Sequence, residues 1–210
     1  MPFHATEIRS AQRHLKSSDP VLREVIRAVG PFTLKTQPDL FRLLTRSIIS
    51  QQISVGAARS IMTKLETFVA PQKISAEALR AIDPETLRTL GVSPQKARYL
   101  GDLSEQVAAR AVRLDRLARL ADEEVIEHLT QIKGIGRWTA QMALIFGLGR
   151  LDVLPVADLG IQTAIRTQYR LRGLPKPRKI ESIAKVWRPY ASIASWYLWQ
   201  SLDNARAKPT

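Results

Sequence analysis

Between two helical patterns, 122–131 and 137–147, runs Ile132-Lys133-Gly134-Ile135-Gly136-Arg137-Trp138-Thr139-Ala140. Gly134 is suited to the positive φ that ends the first helix, and Gly136 lets the backbone of the turn come close to a ligand. The second helix then begins with N–H groups that it cannot satisfy internally and with the positive end of its dipole outward, which suits a phosphate. No acidic side chain lies between Gly134 and Ala140. A helix–turn–helix that offers backbone rather than side chains holds phosphate without reading sequence.

Patterns of period 3.6 recur from end to end, whereas alternating strand patterns are scarce. Asp19-Pro20, Asp83-Pro84 and Ser93-Pro94 each set a capping side chain before a proline at the first helical position. Asp122, followed by Glu123 and Glu124, is expected to cap another helix and complement its dipole. Helices are predicted near 5–15, 20–29, 38–50, 54–69, 75–81, 84–90, 94–112, 122–131, 137–147, 159–171, 178–187 and 189–203. The fold class is all-α. Leu40, Phe41, Leu43, Leu44, Ile48 and Ile49 give 38–50 a broad apolar face, so it is expected to be a central core helix.

The chain has 32 Lys+Arg against 19 Asp+Glu, a net charge of +13 spread along 210 residues rather than gathered in a tail. An extended polyanion met by a folded surface is the partner this implies. There is no cysteine, hence no disulfide framework. His4, His14 and His128 lack metal-ligand spacing. No apolar run approaches membrane-spanning length and the N-terminus lacks a signal-peptide core, so a soluble intracellular protein without membrane association is expected.

The Gly-Ile-Gly-Arg-Trp-Thr-Ala run, with Asp158 following it, resembles the helix-hairpin-helix/Gly-Pro-Asp DNA glycosylase superfamily, and most closely its 3-methyladenine DNA glycosylase II group. The resemblance extends over about residues 39–202, with the helix-hairpin-helix at 122–147. It implies two helical lobes with double-stranded DNA gripped in a cleft between them. The 210 residues are expected to form a single glycosylase unit and a monomer, without the N-terminal β-rich domain of some relatives. The hairpin residues Lys133, Gly134, Ile135, Gly136, Arg137 and Thr139 would meet the DNA backbone; Lys133 replaces the proline common in the superfamily and adds a cation near the phosphates. No cofactor is required, although the carbonyls of Thr130, Ile132 and Ile135 match those that hold an optional monovalent cation, Na+ or K+. The missing cysteines rule out the thiolate-held iron–sulfur cluster of the endonuclease III branch.

Ser50-Gln51-Gln52-Ile53-Ser54 matches the family's connection that enters the minor groove and fills the gap left by an extruded base. Gln51 and Gln52 are candidates to hydrogen-bond the unpaired partner base, and Ile53 is a candidate apolar wedge; which residue plugs and which wedges stays open. Leu90-Gly91-Val92-Ser93-Pro94-Gln95-Lys96-Ala97-Arg98 looks like the family's upstream hairpin, with Lys96 and Arg98 as candidate phosphate contacts. The basic run Arg170, Arg172, Lys176, Arg178 and Lys179 reads as a loop and a secondary phosphate contact.

Asp158 precedes a helix starting at Leu159, which alone would make it a cap. Its spacing from the hairpin matches the family's catalytic aspartate, and the two roles can coexist. Asp152 is the competing carboxylate, read as structural. A fixed carboxylate suits cleavage of an N-glycosidic bond, because C1′ becomes cationic as the base leaves and an attacking water must be oriented. The nucleotide must first be flipped out of the stack. In bifunctional relatives the position of Trp138 is a lysine that attacks C1′; tryptophan there predicts a monofunctional enzyme.

Trp138 and Trp199 are assigned to the base pocket, where indole faces attract cationic N3- or N7-alkylated purines. Met142 takes the place of a pocket tyrosine. Trp187 and Trp196 are read as core. The expected function is thus excision of alkylated bases in base excision repair. The alternatives are a glycosylase of the same fold for oxidised or deaminated purines, and a non-catalytic DNA-binding module, which would have no use for Asp158.

Overall fold

The computed structural model describes residues 3–207. Among them every regular element is helical, as expected for an all-α chain. In chain order the helices are α1 (Ala5–Ser18), α2 (Pro20–Val29), α3 (Leu40–Ser50), α4 (Val55–Val69), α5 (Ala76–Arg80), α6 (Pro84–Thr89), α7 (Pro94–Ala108), α8 (Asp122–Thr130), α9 (Arg137–Met142), α10 (Leu159–Gln168), α11 (Pro177–Ala184) and α12 (Ala191–Ala207). None is long and apolar enough to cross a membrane, among the described residues. The chain forms two compact units, Met1–Thr36 with Leu144–Thr210, and Gln37–Ala143.

The first unit is built on α12, whose residues Ala191–Leu198 are all buried. A stretch buried on every side has to be enclosed, and α1, α2 and α10 pack against it. Leu15, Leu22, Ile26, Ile161, Ile165 and Tyr197 fill the core, joined by Trp187 and Trp196 as the sequence suggested. One carboxylate is buried there. Asp19 caps α2 by accepting from the amides of Val21 and Leu22, and also accepts from the Tyr169 hydroxyl and Trp187 Nε1. Four donors compensate its desolvation. Burial, and then the adjacent Asp19 carboxylate, push the Tyr169 phenol well above its ordinary range and keep it a donor.

The second unit is organised around α3. Leu40, Phe41, Leu44, Ile48 and Ile49 are buried, while Leu43 is only half-buried. α4 and α7 pack on α3, and the Arg42 guanidinium ties it to Glu66 of α4. The three predicted proline-led starts hold: Asp19, Asp83 and Ser93 each accept from an amide of the first turn.

Several boundaries differ from the sequence reading. The helix predicted over 94–112 stops at Ala108, because Arg110 takes a left-handed φ of 57° and the Val112 amide closes back on the Gln106 carbonyl. Arg110 thus takes the left-handed position that glycine usually holds, and the buried Val112 anchors the turn. A 3-10 turn over Leu114–Arg119 follows, unanticipated by periodicity. The predicted helix 137–147 is α-helical only to Met142 and continues as a wider π turn over 143–147. Asp122 is not a cap: Ala121 holds that position, and Glu124 accepts from its amide. Finally, Arg178 and Lys179 lie in the first turn of α11 rather than in a loop.

Candidate active site

Asp158 stands at the N-cap of α10, in the first unit, and its Oδ1 accepts from the Ile161 amide at 2.8 Å. The same oxygen accepts from Trp199 Nε1 at 2.9 Å. A helix N-terminus and an indole N–H thus both converge on one oxygen of this carboxylate. Trp199, half-buried on α12, stacks on Phe146 with ring centroids 5.6 Å apart and planes 29° apart. Phe146 comes from the π turn, a local widening of the kind frequent at functional positions.

The loop carrying Asp158 is clamped at both ends. The Asp158 amide donates to the Pro155 carbonyl, and Gln162 reaches back to the Val156 carbonyl. Asp152 accepts from the Ala191 amide and pairs with Arg188, while Ser192 Oγ accepts from the Val153 amide. Asp152 therefore fastens the loop to the start of α12, the structural role read for it. Leu159, next to Asp158, is 65% exposed, leaving apolar surface beside the carboxylate.

The hairpin belongs to the second unit. Ile132 and Ile135 are buried anchors, and the Ile135 amide donates to the Ile132 carbonyl at 3.0 Å. Gly134 has φ 83°, and a Cβ on it would lie 2.2 Å from the Tyr99 ring. Only glycine satisfies both demands. At Gly136, the N-cap of α9, a Cβ would meet nothing within 4 Å. Its smallness is therefore not required by packing.

The flanking side chains are more engaged than the sequence implied. Arg137 pairs with Glu123 of α8, so an acidic group does stand near this turn; the guanidinium holds the Glu123 carboxyl below its usual range. Lys133 lies 3.4 Å from Asp102, which also accepts from the Lys133 amide. The Arg137–Glu123 pair is exposed on both sides and so screened by solvent, whereas in the other pair Lys133 is exposed but the Asp102 side chain is only 15% exposed. The Thr139 side chain is buried, so its amide is what it can offer a ligand. Met142 is buried too, whereas Trp138 is 43% exposed.

The turn after α3 separates its three residues. Gln51 Nε2 donates to the Gly134 carbonyl at 2.8 Å, bracing the turn on the hairpin. Gln52, with a left-handed φ of 56°, and Ile53 are exposed at its tip. Lys96 is half-buried, and one donor of its ammonium goes to the Ile49 carbonyl at the end of α3. Partial burial lowers its pKa, and the interaction complements the negative end of that helix. Arg98 remains exposed.

Residues 45–189 match the family model described as HhH-GPD superfamily base excision DNA repair protein. Alkylbase DNA glycosidase-like protein mag2 of Schizosaccharomyces pombe is 32% identical over 93% of this chain and 94% of its own. A solved structure titled as S. pombe 3-methyladenine DNA glycosylase (Mag1) in complex with abasic DNA superposes with a TM-score of 0.85, at 31% identity, over 95% of this chain and all of that one. DNA-3-methyladenine glycosidase from Bacillus halodurans superposes with a TM-score of 0.83, at 35% identity, over 94% of this chain and 91% of that one. The hairpin, the capping aspartate and the helical architecture define a base-excision repair protein. The chain belongs to the HhH-GPD superfamily.

Sequence reasoning passed over Phe146, Gly160, Tyr99 and Asp102. No local pattern marks Phe146 or Tyr99, and nothing local pairs Asp102 with a lysine 31 residues away. Gly160 alone carries a signal, since glycine is a poor choice inside the first turn of a helix.

Proposed function

We propose that this protein is a monofunctional DNA glycosylase that excises alkylated purines of the 3-methyladenine and 7-methylguanine type from double-stranded DNA, acting as a monomer. The observation that carries the reading is the Asp158 carboxylate, fixed by the α10 N-terminus and Trp199 Nε1, in a chain that aligns nearly end to end with a 3-methyladenine glycosylase bound to abasic DNA.

The second unit supplies the grip. Backbone amides of Gly134 and of Gly136–Thr139 take phosphate, with the Lys133 ammonium beside it and Arg137 exchanging Glu123 for it. Gln52 and Ile53, exposed at the tip of the turn, fill the space vacated by the flipped nucleotide, while Gln51 braces that turn. The first unit supplies the chemistry. As the C1′–N bond lengthens, the sugar becomes cationic and Asp158 stabilises it; the carboxylate then orients the water that adds to C1′. The electron pair of the broken bond leaves with the base. An alkylpurine already carries positive charge, so it departs as a neutral molecule, and the Trp199 indole beside Asp158 favours that charge before departure. With tryptophan at 138 no amine is available there to form a Schiff base, so the product is an intact strand with an abasic site.

The carbonyls of Thr130, Ile132 and Ile135 are proposed as optional ligands of a loosely held monovalent cation. Thr130 ends α8, where carbonyls lack helical donors, and the set is neutral. Such an ion would add positive charge beside the phosphate. No step depends on it.

Base release from duplexes carrying 3-methyladenine, 7-methylguanine, hypoxanthine or 8-oxoguanine tests the substrate assignment. The two methylated purines are expected to be released fastest; preference for 8-oxoguanine would overturn it. Affinity for undamaged duplex is also expected to fall steeply with salt. If about six phosphates are neutralised, the loss is on the order of 10³-fold between 50 and 200 mM. A titration with a flat salt response would contradict the electrostatic grip.

A further inference from the structure

We infer that Gly160 is a positioning residue for the reaction, because its missing side chain is what lets Trp199 reach Asp158. The inference rests on the reading that Asp158 performs the chemistry. A Cβ built on Gly160 would lie 2.9 Å from Asp158 Oδ1, 3.0 Å from Trp199 Cδ1 and 3.2 Å from Trp199 Nε1. It would intrude on the two atoms that make the 2.9 Å hydrogen bond and on the ring carbon bonded to that nitrogen. Neither partner can swing aside cheaply. Asp158 Oδ1 is also fixed by the Ile161 amide, and Trp199 is stacked on Phe146 and carried by the buried helix α12.

The backbone gives no other reason for glycine. Gly160 is the second residue of α10, and its φ is not among the positive ones. Alanine suits a helix better than glycine, so the position favours pairing over helix stability. The methyl of alanine would part the indole from the carboxylate, removing a charge-assisted hydrogen bond while leaving the N-cap bond to Ile161 available.

Gly160→Ala is therefore expected to lower kcat on methylated duplex about ten- to a hundredfold. KM and binding of undamaged duplex should stay near wild type, and the thermal midpoint should be unchanged or raised. The chain has four tryptophans, so the Trp199 indole N–H resonance can be assigned by its loss in Trp199→Phe. It should shift in Gly160→Ala. In the Trp199→Phe background, Gly160→Ala should add little further loss.

An unmoved resonance with full kcat overturns the inference, as does a moved resonance with full kcat. A lowered thermal midpoint with lost activity also overturns it, since the glycine would then serve folding. Asp158→Asn, run alongside, separates the two levels. If that variant keeps full base release, the functional reading itself fails, whatever the resonance shows.

Discussion

Replacing Asp158 by Asn is expected to abolish base release, by 10³-fold or more in the single-turnover rate, and to leave folding and binding of undamaged duplex near wild type. The substitution separates the two duties of this side chain. Asn is as good an N-cap as Asp, and its carbonyl oxygen can still accept from the Ile161 amide and Trp199 Nε1. Only the charge is lost. If the carboxylate merely caps α10, the variant will behave as wild type in every assay. If it balances the cation that forms at C1′, chemistry stops while grip persists. Rapid-quench base release beside a duplex-binding titration reads both outcomes, and near-wild-type release would remove Asp158 from the reaction.

The second large effect is expected at the hairpin, where two glycines two residues apart should respond differently. Gly134→Ala places a Cβ at φ 83° and 2.2 Å from the Tyr99 ring. Left-handed strain and overpacking each cost about 1–3 kcal/mol, so the thermal midpoint should fall by many degrees. Gly136→Ala meets no neighbour and should leave the midpoint within a degree or two of wild type. Its methyl would instead stand where the phosphate approaches, so duplex affinity should drop about tenfold. Thermal melts and binding isotherms on both variants check this. Equal stability losses would show that the turn is a packing feature, and equal affinities at Gly136 would show that DNA does not come close there.

Much of this was legible because its causes are local. Capping residues before prolines, glycines in a turn and an aspartate before a helix announce themselves within a few residues, and so the hairpin, Asp158 and most helix starts could be read directly. Asp152 could also be set aside, and its bonds to Ala191 and Arg188 give the reason.

What escaped depends on partners far along the chain. Gln51, a candidate probe of the unpaired base, donates to the Gly134 carbonyl 83 residues later, a bond that no local pattern announces. Lys96, a candidate phosphate contact, also has a partner 47 residues away in the Ile49 carbonyl at the end of α3. The same holds for Arg137: no acid lies beside it in sequence, yet α8 and α9 bring Glu123 to it. The end of α7 was missed for a different reason, since a left-handed arginine made its stop where glycine would have been conspicuous.

The most direct test is the fate of a duplex carrying a single 3-methyladenine or 7-methylguanine, followed by chromatography of the free base and by strand analysis before and after alkali. A monofunctional glycosylase should yield the free methylated base in step with alkali-labile sites, with the strand intact until alkali is added. Tight binding with no free base at any enzyme excess would contradict the account and leave a protein that recognises damaged DNA without acting on it.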